Sequence, residues 1–258
     1  MVLTAATISC GWTPARAQAA GDTLRQSLSL SLGAFNENRR DDADSPLAYA
    51  GLGLGERIDY SRNRGGRRWY LSLGAGNATI RPSASGLHTE PEEGFGAFTA
   101  GAGTDWRLRG SSARAGEFAV GVELQATVTV ARHIYSNQDL TEQTFDFGAV
   151  TLAPTARWTR QAGKGAFTAS LAMPLLAWVD HPYADMRFAN QFVDLRFTPL
   201  TRFHEADGML SYDFIPRGRY GLTAAYRVYV VELDDLQPVR RFTQALTIAV
   251  SRRFGPLP

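Results

Sequence analysis

The last segment of the chain, residues 242–254, alternates between two kinds of side chain. Positions of even number are mostly large and apolar, as in Leu246, Ile248 and Val250, whereas those of odd number are small or polar. A period of two puts successive side chains on opposite faces of a strand, so this strand meets two different environments. A soluble sandwich would normally turn sooner. So long an alternating strand at the end of a chain predicts closure of a membrane-spanning β-barrel.

Composition excludes two other classes of protein. Hydrophobic residues make up 44% of the 258 residues, yet no run approaches the ~18 apolar residues that a membrane helix needs. The formal net charge is only +2, so a nucleic-acid partner is not expected.

The first 22 residues resemble the remnant of a signal peptide. An apolar stretch, residues 2–8, precedes the small-x-small pattern Ala17-Gln18-Ala19, although a basic start is missing. Lipid attachment at Cys10 is an alternative for this segment, because the small residue Ser9 precedes the cysteine. Cys10 is the single cysteine, so no intramolecular disulfide is possible. We therefore expect residues 1–22 to be a leader and residues 23–258 to be one barrel domain.

Alternating segments recur through the rest of the chain. They predict ten strands, at 23–36, 47–61, 67–80, 94–109, 116–134, 144–160, 165–178, 200–215, 220–232 and 240–254. An even number brings both termini to one side, as bacterial single-chain barrels require. The predicted fold is all-β, a single closed antiparallel transmembrane barrel of about ten strands, with eight or twelve as alternatives.

The connections between these segments are of two kinds. Every second one is short, contains glycine and is basic, at 62–66, 110–115, 161–164 and 216–219. The others are longer and tend to be acidic, for example 37–46 and 81–93. Outer-membrane barrels have short periplasmic turns and long outer loops, so we expect 62–66 inside and 81–93 outside.

Within each strand, the apolar residues occupy one set of alternate positions, and the charged residues fall mostly on the other set. This placement is expected because a charged side chain facing lipid is costly. The predicted lumen charge network is Arg25, Arg57, Asp59, Asp105, Arg107, Glu123, Glu205, Asp207, Asp213 and Arg227. The first four strands present small residues to the interior while the eighth and ninth present large ones, which favours a filled lumen. The network then either satisfies buried groups or lines a path for a solute.

Two regions resist regular pairing. A change of parity between Phe147-Gly148 and Val150-Thr151 predicts a bulge, and Pro154 and Pro174 each remove a ladder donor. Aromatic residues near the predicted turn-side interface are typical of a girdle: Tyr60, Trp69, Trp106, Trp158, Phe214 and Tyr220.

The four histidines, His88, His133, His181 and His204, fall in outer loops or at outer strand ends. Imidazoles beside acidic loop residues are a possible metal site or acid–base pair. No tight spacing supports such a site, so we expect neither a metal nor a cofactor.

Residues 23–254 as a whole resemble bacterial outer-membrane β-barrel proteins, in their alternating strands, their two kinds of connection and the terminal strand that ends in Phe254. The resemblance implies a location in the bacterial outer membrane, contact with its lipid, and recognition of the last strand by the barrel-assembly machinery. The chain departs from the pattern in Arg252, at a usually apolar position, and in the tail at 255–258.

A second resemblance is local. Residues 132–137 resemble the His-x-Ser-Asn segment of outer-membrane lipid A deacylases, which would make His133, Ser136 and Glu142 candidate catalytic residues. Here an extra residue separates His133 from Ser136, which puts them on opposite faces of a regular strand unless a bulge intervenes.

We therefore expect a non-enzymatic barrel with a structural or surface-binding role, or one that passes small solutes through a narrow, charge-lined lumen. The alternatives are a lipid-acting hydrolase at the rim and a binder of a small apolar ligand. The ligand site would lie near Phe145, Phe147, Leu176 and Trp178, which we expect to face inward.

Overall fold

The computed structural model describes residues 25–41, 45–82, 92–108, 116–134, 141–180, 195–215, 219–234 and 238–255. The predicted leader lies outside these residues. Within them, no helix is long and apolar enough to cross a membrane.

Twelve strands account for nearly all of the described chain. They are β1 (Arg25–Asp41), β2 (Ser45–Arg64), β3 (Arg67–Pro82), β4 (Glu92–Arg107), β5 (Glu117–Ile134), β6 (Thr141–Ala162), β7 (Gly165–Ala172), β8 (Leu176–Asp180), β9 (Arg196–Thr198), β10 (Phe203–Asp213), β11 (Tyr220–Leu233) and β12 (Val239–Phe254).

Ten of these strands form a closed antiparallel ring, as predicted. Going round it, β1 to β7 follow in chain order, then come β10, β11 and β12, and β12 pairs again with β1. The closing seam runs from the pair Gln26–Phe254 to the pair Asp41–Val239 without a register shift. The last strand therefore closes the sheet against the first and leaves neither with a free edge.

Alternation along each strand separates an inward from an outward face. On β1, Leu30 and Leu32 are 51% and 61% exposed, whereas Ser31 between them is 8% exposed. On β5, Leu124 and Val128 face outward and Thr127 and Thr129 are buried. The outward face is apolar around most of the ring, as a lipid-facing surface must be.

The short turns are made by glycines at positive φ. Gly65 (φ 57°) and Gly66 (φ 78°) join β2 to β3 in a two-residue turn, and Gly163 (φ 63°) begins the matching turn from β6 to β7. The first turn has positive φ at both central residues and the second only at Gly163, and both geometries suit the twist of paired strands. We call this end of the barrel the short-turn end and the other the long-connection end. The predicted turn at 110–115, and 216–218 of the turn at 216–219, lie outside the described residues.

The predicted seventh and eighth strands are interrupted. Pro174 lies in a break between β7 and β8, and β6 pairs with β7 along its later part and with β8 along its earlier part. Strand β9 pairs with β8, so β8 and β9 form a two-stranded extension outside the ring. The predicted irregularity at Pro174 is confirmed, because proline removes a ladder donor.

The predicted bulge is displaced. The register of β5 with β6 shifts between Thr129 and Val130, which pair with Phe147 and Phe145, so Asp146 is the extra residue. From Phe147 to Ala153 the odd-numbered residues of β6 are all buried without a change of parity. The prediction of a switch between residues 148 and 150 is therefore wrong. The change expected at Val150-Thr151 is absent, because Thr151 is buried on the same face as Phe147 and Ala149.

Candidate functional site

The interior is crossed at mid-height by contacts between strands that are not neighbours. The hydroxyl of Tyr70 on β3 donates a hydrogen bond of 3.2 Å to the carboxylate of Glu123 on β5. The strand between them, β4, carries Gly103, where a Cβ atom would lie 2.4 Å from the Tyr70 ring. Glycine is therefore required at this position for the two side chains to meet.

The opposite wall supplies a paired cation. Arg227 on β11 makes a two-pronged ion pair with Asp207 on β10, with an Nε to Oδ1 distance of 2.7 Å. Glu123 lies near enough to Asp207 and Arg227 across the lumen, and to Arg57 on β2, for their charges to act on its carboxyl group. Arg57 in turn pairs with Asp59 at 2.8 Å on the same strand. These groups form a charged belt across the middle of the barrel, which we call the mid-height belt.

A second cluster lies nearer the short-turn end. Asp105 on β4 is 4% exposed and pairs with Arg157 on β6 at 2.7 Å. Thr155 donates a hydrogen bond of 3.1 Å to the same carboxylate, while Arg68 approaches it at 3.7 Å. Gly121 on β5 stands between these strands, and its Cβ would come within 2.6 Å of Asp105. A small residue on the middle strand again lets its two neighbours meet.

A third cluster lies toward the long-connection end and is the most deeply buried. Glu37 on β1 and Arg241 on β12 are 1% and 4% exposed, and their Oε1 and Nε atoms are 2.9 Å apart. Thr243 donates a second hydrogen bond to Glu37. The guanidinium of Arg241 lies 4.8 Å from the ring centre of Phe95 on β4, so this side chain crosses the interior.

Apolar side chains fill the space around that pair. One cluster packs Tyr49, Ile80 and Phe95 with Phe35 of β1. The other is larger and joins residues of β6, β8, β10, β11 and β12: Phe147, Ala149, Ala177, Val179, Phe203, Val231, Leu233 and Val239. We call the two clusters together with Glu37 and Arg241 the plug.

The structure separates the predicted charge network into these clusters. Arg57, Asp59, Glu123, Asp207 and Arg227 belong to the mid-height belt, and Glu205 lies two residues from Asp207 on the same face of β10.

The other predicted members lie toward the short-turn end. Asp213 pairs with Arg253 at that end. Arg107 lies there too, paired with Glu117 at 3.1 Å, and its side chain is 57% exposed. Arg25 is exposed at the first position of β1.

Sequence reasoning missed the Glu37–Arg241 pair. Glu37 was assigned to a loop because β1 was predicted to end at residue 36, whereas it continues to Asp41. The inward position of Arg241 could have been predicted, because the odd-numbered residues of the terminal strand face the lumen.

The predicted site for an apolar ligand is wrong in two of its residues. Leu176 is 38% exposed, and Trp178 makes an edge contact with Phe197, while Ala177 and Val179 between them are the buried ones. The break at Pro174 resets which residues of β8 face inward. Phe147 does face inward, and the side chain of Phe145 lies outside the described residues.

Two of the candidate catalytic residues have described backbones at the long-connection rim. The backbones of His133 and Glu142 are paired in register across β5 and β6. Their side chains and the whole of Ser136 lie outside the described residues. His204 is exposed at the same end.

A recess of about 520 Å³ opens at this rim. It is lined by backbone and side chains of β1, β2, β11 and β12, among them Arg39, Tyr49, Val231 and Arg241. It adjoins the plug.

No family model and no curated protein sequence matches the chain. Among solved structures, the translocator domain of the autotransporter NalP from Neisseria meningitidis aligns at 11% identity and a TM-score of 0.45, covering 91% of this chain and 89% of that one. The outer membrane protease OmpT from Escherichia coli aligns at 9% identity and 0.43, covering 91% and 98%. Neisserial surface protein A aligns at 10% identity and 0.36, covering 88% and 97%. At these sequence identities and TM-scores, no residue role or activity of those proteins can be assigned to this chain.

Proposed function

We propose that this chain is a non-enzymatic outer-membrane β-barrel that does not conduct, and that it serves as a rigid scaffold presenting its long connections at the cell surface. The closed ring of ten strands with an apolar outward face supports the membrane location. The short-turn end would then face the periplasm, and the strand ending in Phe254 would be recognised by the barrel-assembly machinery.

The plug is the observation that carries the non-conducting role. Phe147, Phe203, Ile80 and Val231 inside it are each no more than 1% exposed. An ion would have to shed its water to pass such side chains, and hydrophobic constrictions block conduction for that reason. The mid-height belt adds two ion pairs, Arg57 with Asp59 and Arg227 with Asp207, whose charges offset each other.

Planar-bilayer recording tests this role directly. The purified, refolded chain is expected to insert without producing conductance steps. Regular single-channel steps, with an ion selectivity that changes in Asp207→Asn, would replace this proposal with passage of a small solute along the charged lumen.

A rim hydrolase is the second candidate function, and one observation favours it. The backbones of His133 and Glu142 are paired in register, which is the placement that a base and its orienting acid on neighbouring strands would need. Release of acyl chains from purified lipid A, lost in Ser136→Ala and in His133→Ala, would support this function. If both variants release as much as the unaltered chain, this function is removed.

A further inference from the structure

A repeated pairing of arginine with an aromatic residue surrounds the short-turn end. On the outward face, Arg62 is paired in register with Trp69, and Arg67 with Trp106. Further round the ring, the partners are Arg160 with Phe167 and Arg252 with Tyr220. We call these four pairs the arginine–aromatic belt.

Two of the four arginines have a guanidinium group that lies over an aromatic ring. Arg67 lies 4.0 Å from the ring centre of Trp69 and 5.2 Å from that of Trp106, and it donates a hydrogen bond of 3.2 Å to Thr104. Arg252 lies 5.1 Å from the ring centre of Phe254. Trp69 and Tyr220 are themselves 50% and 62% exposed, so the belt forms part of the outer surface.

The positive charge of the arginine–aromatic belt is not balanced by acidic side chains on the same outward face. Among the described residues of this end, the acidic side chains lie on the inward parity, at Asp59, Asp105, Glu117 and Asp213. The long-connection end differs, because the outward-facing Arg240 has Glu232 at 2.9 Å. Arginines of the belt have aromatic neighbours where Arg240 has a carboxylate.

Such an arrangement suits the boundary of a lipid leaflet. Exposed tryptophan and tyrosine rings settle at the level of the headgroups, and arginine side chains reach past them toward the charged layer. A guanidinium binds phosphate through two parallel hydrogen bonds, which an exposed ammonium group cannot do.

We propose that the arginine–aromatic belt is a binding surface for anionic phospholipids in the leaflet that meets the short-turn end, with the arginines on the lipid phosphates. This inference rests on the proposed membrane location. A chain that inserts into no vesicle contradicts that location. A chain that inserts without preferring either lipid contradicts only the proposed binding of anionic phospholipids by the arginine–aromatic belt.

The test compares unfolding equilibria in two kinds of vesicle, phosphatidylcholine alone and phosphatidylcholine mixed with phosphatidylglycerol. The full chain is expected to be more stable in the mixed vesicles, and added salt should reduce the preference. Each arginine near an anionic surface contributes on the order of fivefold to an equilibrium constant. The triple variant R62Q/R160Q/R252Q should therefore lose most of the preference.

A matched control removes the same charge from the same end. The variant R25Q/K164Q/R219Q also loses three exposed cations, but none of them is paired in register with an aromatic residue. It should keep most of the preference. Equal losses in both variants, or no preference in the unaltered chain, would overturn the proposal.

A second measurement uses the variant W12F/W158F/W178F, in which Trp69 and Trp106 are the only tryptophans left. Phosphatidylglycerol with brominated acyl chains should quench the fluorescence of Trp69 and Trp106 more strongly than brominated phosphatidylcholine at the same fraction of lipid. Equal quenching by the two lipids, with tight binding of a soluble acidic polymer instead, would assign the belt to an acidic macromolecule and not to lipid.

Discussion

At the scale of single residues, small side chains on one strand decide which larger ones meet across the lumen. Phe35 on β1 lies over Gly53 and Gly55 of β2 and Gly76 of β3. Tyr70 reaches Glu123 over Gly103 in the same way. The glycines that make the first strands look featureless in sequence are therefore sites where aromatic and charged side chains fit.

Two neighbouring glycines allow a sharp test of this packing. A Cβ at Gly53 would lie 2.4 Å from both the Phe35 ring and the carbonyl oxygen of Asn77, whereas one at Gly55 would have 3.3 Å or more. We expect Gly53→Ala to destabilise the barrel by about 1–3 kcal/mol through overpacking. Gly55→Ala should change the free energy of unfolding by less than about 1 kcal/mol. Urea unfolding in detergent micelles measures both, and equal effects would contradict the close approach of Phe35.

Two adjacent arginines allow a similar comparison for buried charge. Arg241→Met leaves Glu37 buried without its cation, which should cost about 3–5 kcal/mol. Arg240→Met removes an exposed pair with Glu232, which should cost less than about 1 kcal/mol. The double variant E37M/R241M should recover much of the loss, because no buried charge is left unpaired. A loss in the double variant equal to the sum of its two single changes would mean that the two groups do not interact.

At the scale of strands, the seam between β1 and β12 determines whether the sheet is a barrel. Its sixteen paired positions are in continuous register. Each seam strand also has a partner on its other edge, β2 for β1 and β11 for β12. Backbone donors and acceptors in lipid need such partners, since no water is present to satisfy them.

Paired cysteines test the seam. Ser29 and Ser251 lie directly opposite each other, where Cα atoms of antiparallel strands are about 4.5–5.5 Å apart and within reach of a disulfide. In a Cys10→Ser background, S29C/S251C should therefore oxidise to an intramolecular disulfide. The diagonal control S27C/S251C, with Cα atoms about 7–8 Å apart, should oxidise poorly. Efficient oxidation of the control alone would show that the register is shifted.

At the scale of the whole molecule, the interior is packed unevenly along its axis. The mid-height belt consists of charged side chains on both walls of the lumen, whereas the plug toward the long-connection end is mainly apolar. A single strand does not define either feature, because each draws side chains from strands on opposite sides of the ring.

Removing the plug should convert the closed barrel into a leaky one. The variant F147A/F203A/R241A deletes large side chains from three strands of the plug, and we expect it to produce conductance steps in planar bilayers where the unaltered chain produces none. The control L246A/I248A deletes apolar bulk from the outward-facing side of β12 and should stay silent. Silence in both would locate the block elsewhere along the lumen.

Local pattern predicted most of the secondary structure. The alternation of apolar and polar residues identified the ten ring strands to within a few residues at most ends, and the Gly65-Gly66 turn follows from two adjacent glycines. Its errors came where the period was interrupted, at Asp146, where one extra residue shifts the pairing, and at Pro174, where a missing donor breaks β7 from β8. An interruption changes which residues face inward. The alternation therefore predicts that Leu176 and Trp178 face the lumen, whereas Ala177 and Val179 do so.

The candidate site was only partly predictable. Parity determines whether Glu123 or Arg227 points into the lumen, because that depends on the residue's own strand alone. The partners of those residues depend on strand order, on the stagger between strands and on the small residues of the strand between. Tyr70 with Glu123, and Arg241 with Phe95, join residues 53 and 146 positions apart, for which no local pattern exists.

The sequence by itself thus determined that this chain forms a closed β-barrel, and which face of most strands points outward, because alternation acts within each strand. The tertiary structure alone decided that the lumen is filled toward one end, and that the terminal strand contributes Arg241 to the plug as well as closing the sheet. Those outcomes arise from side chains that meet only when the ring closes.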